Sequence, residues 1–250
     1  MKKIGHYLFY LIEIAIVFAL YTTLQEFYFY PDIFGFGSAE AFILALSTVL
    51  VFWFSFWLYK GQLDDDNDWG FSQDFHWDWR KLATAVGGFF LMQLLYILLM
   101  NLIGGGVSVN QQKLDDLQHT AGPTYNIMVV LVAPVMEEII FRGMFFNLLF
   151  NHAGKVAKWA GILVSGFFFA FAHNPFWSPY LLVYWMMGSV LAWVYMTTKD
   201  LRYSMATHIM WNMLSILARP KGKIQEYNKK RKREICLDIR KAAKLGFAAF

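Results

Sequence analysis

LATAVGGFFLMQLLYILLMNLI, residues 82–103, runs its whole length without a charged side chain. About 20 consecutive apolar residues cross a hydrocarbon core as an α-helix, which satisfies its own backbone hydrogen bonds where no water can. The segment therefore reads as a membrane span, and the rest of the chain is organised around it. Residues 41–59 and 180–198 are equally free of charge, while 7–29 contains Glu13 within its apolar run. Residues 159–173 form a shorter block that stops at Asn174-Pro175. Two further blocks differ in kind. Residues 124–150 carry Glu137, Glu138 and Arg142 near their middle, and 201–218 carry Arg202, His208 and Asn212. These seven blocks predict an all-α, polytopic membrane helical bundle of about seven transmembrane helices, within a range of six to eight.

Composition agrees. The chain has 250 residues, 58% hydrophobic and 16% charged, against about 45–50% and about 25% in soluble domains. Lys2 and Lys3 precede the first block as in a secretory signal. That block is too long for a signal core and no small-x-small site follows it, so a retained span is expected. Glu13 is expected to pair inside the bundle, since a lone intramembrane acid is costly. Asp64, Asp65, Asp66 and Asp68, with Trp69, Trp77 and Trp79, lack the spacing and terminal Glu of a calcium loop and read as a solvated loop with interfacial tryptophans. Gly104-Gly105-Gly106 punctuates the chain, and QQKLDDLQH after it reads as a short surface helix.

The net charge of +4 is unevenly placed: residues 219–250 hold a net +8 and residues 1–218 a net −4. A basic tail after the last apolar block is expected to lie against anionic lipid headgroups; no nucleic-acid module accompanies it. The single cysteine, Cys236, excludes an internal disulfide and thiolate metal clusters. Three divisions result: N-terminal helices and loops (1–123), a polar-residue-bearing core (124–218) and a basic tail (219–250).

The chemistry sits in the core. Each ionised side chain at mid-membrane costs about 2.5–3.5 kcal/mol on insertion scales, so three within six residues need a reason. Glu138 and Arg142, four apart with the acid first, form a favourable helical pair. Glu137, about 100° further around the helix, is left over as a carboxylate for proton transfer. His173 ends the fifth block with Phe169 one turn before it. His208 has Asn212 one turn after it, on the same face. Singly, each histidine or amide reads as helix–helix glue. Jointly they supply an acid, two imidazoles and an amide: a base for water and donors for an oxyanion. No serine sits in a Gly-x-Ser-x-Gly frame. Ser165 lacks it, and Cys236 lies far from any base.

EEIIFR (137–142), FAFAH (169–173) and HIMWN (208–212) match, in order, Glu-Glu-x-x-x-Arg, Phe-x-x-x-His and His-x-x-x-Asn. Together they resemble the CAAX-protease and bacteriocin-processing family of intramembrane endopeptidases (CPBP, or Abi) over residues 124–218. The resemblance implies that Glu137, helped by His173, activates the attacking water. It implies that His208 and Asn212 stabilise the oxyanion, and that Glu138, Arg142 and Phe169 support the site. The implied substrate is a membrane-associated or lipid-anchored peptide or protein. Members of the family trim prenylated CAAX proteins or serve bacteriocin maturation and immunity. A metal-free glutamate mechanism is preferred. The alternative is zinc held by Glu137, His173 and His208, and no HExxH is present to favour it. The rival functions are a non-enzymatic bacteriocin-immunity or scaffold protein, and a small transporter or proton relay.

Overall fold

A computed structural model describes residues 2–74 and 76–218; the basic tail and Cys236 lie outside the described residues. Every regular element among them is helical. Besides the short turns Pro31–Phe34 and Gly37–Ala39, these are, in chain order, α1 (Lys2–Phe29), α2 (Glu40–Asp65), α3 (Trp79–Leu102), α4 (Val109–Ala121), a continuous helical run α5 (123–149), α6 (Lys155–His173), α7 (Pro179–Thr198) and α8 (Leu201–Leu217). The chain divides into a compact unit, Met1–Met213, which holds every side chain discussed below, and Leu214–Phe250. Residues 1–123 and the motif-bearing residues to 213 thus share one unit.

Among the described residues, five helical stretches are long and apolar enough to cross a membrane: Gly5–Phe29, Gly37–Asp65, Trp79–Leu102, Lys155–His173 and Pro179–Thr198. The protein is an integral, multi-pass membrane protein. The two remaining blocks predicted as spans, α5 and α8, carry EEIIFR and HIMWN, while FAFAH ends the span α6. The spanning helices turn large apolar side chains outward, among them Phe9 and Ile12 on α1, Val49 and Trp53 on α2, and Phe90 and Ile97 on α3. Such faces suit lipid rather than water.

Local sequence sets the ends. Asp78 caps α3 by accepting from the Arg80 amide at 2.8 Å, and Ser108 caps α4 by accepting from the Gln111 amide at 3.1 Å; each satisfies a donor that the first turn leaves open. Between α3 and α4, Gly104, Gly105 and Gly106 all have positive φ, a region only glycine enters freely. At Gly106 a Cβ would also strike the Tyr180 hydroxyl. The surface helix expected after this turn is α4.

The acidic loop departs from expectation. α2 continues past residue 59 to Asp65, so Asp64 and Asp65 are helical. The following loop packs rather than floats. Phe71 is buried, its ring stacks on Tyr195 at 4.3 Å, and the Lys199 ammonium lies 4.6 Å from the Trp69 ring centre. A loop ring with a buried aromatic partner gains more from packing than from solvation. Trp77 and Trp79 stay exposed, as interfacial tryptophans should. Glu13 pairs inside the bundle, accepting from Gln62 Nε2 at 2.7 Å.

α6 and α7 cross at a glycine contact. A Cβ on Gly188 would sit 2.7 Å from the Gly166 carbonyl oxygen, and one on Gly166 would sit 2.5 Å from Ser189 Oγ. Close backbone approach at small residues is the usual way membrane helices pack without a hydrophobic drive. Here it brings the Gly188 carbonyl within reach of the site.

Candidate active site

α5 is built from two π-helical turns, Met128–Val132 and Ile139–Met144, flanking the α-helical stretch Ala133–Glu138. π-turns widen the helix and recur at functional sites. Glu137 and Glu138 close the central stretch and point different ways. Glu138 is fully buried, and its Oε1 lies 3.0 Å from Arg142 Nη1 and 3.0 Å from His208 Nδ1. Arg142, also fully buried, donates from Nη2 to the Gly188 carbonyl at 3.0 Å and stacks its guanidinium 4.4 Å over the Phe169 ring. The predicted ion pair is therefore real and has a third contact, the α7 backbone. Removing one partner of such a buried pair strands a charge, at a cost of about 3–5 kcal/mol.

Glu137 is the accessible carboxylate, with 11% of its side chain exposed. Its Oε2 faces His173 Nε2 at 3.6 Å and His208 Nε2 at 3.7 Å. The other ring nitrogens fix the tautomers. His173 Nδ1 lies 2.8 Å from the Phe169 carbonyl, which only accepts, so Nδ1 carries a hydrogen. His208 Nδ1 faces the Arg-paired carboxylate of Glu138, which also accepts, so it too carries a hydrogen. In the neutral rings both Nε2 atoms then present lone pairs to Glu137. Distances of 3.6 and 3.7 Å exceed a direct hydrogen bond, yet they are less than two hydrogen-bond lengths. One water oxygen can reach the carboxylate and both rings.

Phe169 holds the geometry. Its ring lies 4.2 Å from that of His173, 5.7 Å from that of His208 and 5.6 Å from that of Phe141. Helical spacing places it beside His173, and the glycine crossing beneath it leaves the room. Asn212 shares the His208 face and turns toward α5, where its Nδ2 donates to the Val129 carbonyl at 2.8 Å. The structure thus brings Glu137, Glu138, Arg142, Phe169, His173 and His208 together, and ties Asn212 to the start of α5. Ser165 donates to the Phe141 carbonyl at 2.8 Å and is fully buried, a packing role.

Two neighbours escaped the sequence reading. Tyr184 stacks on His173 with ring centres 5.2 Å apart, and its hydroxyl meets Ser108 Oγ at 2.9 Å. Tyr21 of α1 donates to Glu137 Oε1 at 2.7 Å. Tyrosine in an apolar block gives no local signal of either contact. A carboxylate and two imidazoles are donors that zinc takes. Among the described residues, no group of three or more His, Cys, Asp or Glu side chains is arranged to hold a metal ion.

Residues 121–214 match the family described as Type II CAAX prenyl endopeptidase Rce1-like. The chain is 31% identical over 137 residues to the membrane-embedded CAAX protease MroQ of Staphylococcus aureus, covering 54% of each chain. It is 31% identical over 113 residues to the putative membrane peptidase YdiL of Bacillus subtilis, covering 45% of this chain and 44% of that one. It is 26% identical over 138 residues to UPF0177 protein YvdC of Lactococcus lactis, covering 55% and 51%. The matches span about half the length of these curated relatives. No solved structure matches the chain significantly. All three motifs fall inside residues 121–214, the segment that matches the Rce1-like family and that these relatives resemble.

Proposed function

We propose that this protein is an intramembrane endopeptidase that hydrolyses a membrane-associated or lipid-anchored peptide with a water activated by Glu137. The observation that carries the proposal is the convergence of two imidazole Nε2 atoms on one oxygen of Glu137, 3.6 and 3.7 Å away. Water held there gives a proton to Glu137 Oε2, with His173 beside it as the second acceptor. The hydroxide adds to the scissile carbonyl carbon. His208, carrying a second proton on Nε2, donates to the developing oxyanion, while Glu138 at Nδ1 stabilises the imidazolium. Asn212, beside His208 and bonded to the Val129 carbonyl, is the proposed second group at the oxyanion. The proton then passes to the leaving nitrogen, the C–N bond breaks, and a carboxylate and an amine leave.

The preferred chemistry is metal-free. If Glu137 were a ligand, the base would have to be Glu138, which already serves Arg142 and His208. The convergence also supports hydrolysis over a proton path, whose groups would be strung through the bundle. The basic residues 219–250 are proposed to rest on anionic headgroups.

The test is cleavage of a panel of membrane peptides by the protein in liposomes, with and without chelator, beside Glu137→Gln. The expected result is chelator-resistant cleavage by the wild type and none by the variant at equal folded protein. Undiminished cleavage by Glu137→Gln overturns the mechanism, and loss on chelation overturns its metal-free form.

A further inference from the structure

Glu137 has two carboxylate oxygens, and the imidazoles occupy only one. The other, Oε1, accepts a hydrogen bond of 2.7 Å from the Tyr21 hydroxyl. Tyr21 stands on α1, a hundred residues before the segment that matches the family. It is buried, so the phenol has no water to compete with the carboxylate. A phenol carries one hydrogen. Gln25, one helical turn on, fixes where that hydrogen goes: its Nε2 donates into the Tyr21 oxygen at 3.0 Å, leaving the phenol hydrogen for Glu137. The result is a directed chain, Gln25 to Tyr21 to Glu137, with charge assistance at its last link.

We infer that Tyr21 is a positioning residue for the reaction, locking the Glu137 carboxylate so that Oε2 alone faces the water and the two imidazoles. This rests on the peptidase function proposed above. Without the phenol the carboxylate is free to turn, and either oxygen can swing toward the Nε2 atoms or away from them. The chemistry of residues 121–214 is then incomplete without the first helix, whose sequence carries no motif. The same geometry gives the otherwise unassigned N-terminal helices a part in the reaction.

Tyr21→Phe removes one oxygen and keeps the packed ring, so it separates positioning from packing. Tyr10→Phe is the control on the same helix, because the Tyr10 hydroxyl bonds the Gln62 carbonyl instead. In liposomes, Tyr21→Phe is expected to lower kcat roughly 10- to 100-fold with KM within about twofold, as expected for a misaligned reacting group. Gln25→Ala is expected to lower kcat less, and Tyr10→Phe not at all. Thermal unfolding midpoints should stay within a few degrees of wild type. Infrared difference spectra give a readout independent of turnover: the carboxylate band of Glu137, identified by its loss in Glu137→Gln, should shift in Tyr21→Phe and not in Tyr10→Phe. Wild-type kcat in Tyr21→Phe, or a kcat loss that follows a fall in thermal stability, overturns the positioning role. If wild type fails to cleave, or Glu137→Gln cleaves as wild type does, the peptidase function fails by itself. The band shift then still decides whether Tyr21 orients this carboxylate, and an unshifted band overturns that.

Discussion

Glu13 and Glu137 are both buried in this bundle, and their surroundings differ in one decisive respect. Glu13 on α1 takes a 2.7 Å hydrogen bond from the Gln62 amide, and the Gln62 backbone carbonyl is in turn bonded by Tyr10 and Asn147. Glu137 on α5 has one oxygen held in the same direct way by Tyr21, but its second oxygen meets ring nitrogens beyond direct hydrogen-bond range. A buried polar group with a fixed donor is satisfied and inert. A carboxylate oxygen that faces two ring nitrogens beyond direct hydrogen-bond range leaves room for a water, the basis of the role proposed for Glu137. Both acids are equally anomalous in an apolar sequence. Only the partners tell structure from chemistry.

The same substitution at the two positions breaks the comparison most sharply. Glu137→Gln removes the base and is expected to lower kcat by about 10²–10⁴-fold, read as initial cleavage rate in liposomes. Asn212→Ala comes next. If its amide serves the oxyanion, cleavage should fall about 10²–10³-fold, beyond the roughly 1 kcal/mol of stability lost with the Val129 bond. A loss confined to thermal stability would make Asn212 a tie between α8 and α5 alone. Glu13→Gln should change the cleavage rate least, by less than about twofold, since its site holds an amide partner and no substrate-facing atom. A large loss there would place the two glutamates in one functional network.

The spans were legible because an uncharged run such as 82–103 has few alternatives to crossing a bilayer. The ion pair of Glu138 and Arg142 was legible because helical spacing puts acid and base on one face. So was the pairing of His208 with Asn212, through the same periodicity. Local sequence could not show that His208 would straddle both glutamates, 3.0 Å from one and 3.7 Å from the other. That depends on the helix crossing at Gly166 and Gly188 and on the π-turns of α5. Tyr21 was hidden for a plainer reason: 116 residues separate it from Glu137, and a tyrosine in an apolar helix resembles its neighbours Tyr10 and Tyr28. The aspartates at 64–68 are exposed or half-buried, as their charge implies, whereas the aromatic residues beside them decide how the rest of the loop packs.

In the proposed mechanism Glu137 acts on a water and does not itself attack the peptide. Single-turnover cleavage in ¹⁸O-labelled water, with enzyme in excess over peptide, tests it directly. General-base action predicts that the new C-terminal carboxylate carries one solvent oxygen from the first turnover. A first-turnover product with unlabelled oxygen, drawn from the enzyme carboxylate, would contradict the account.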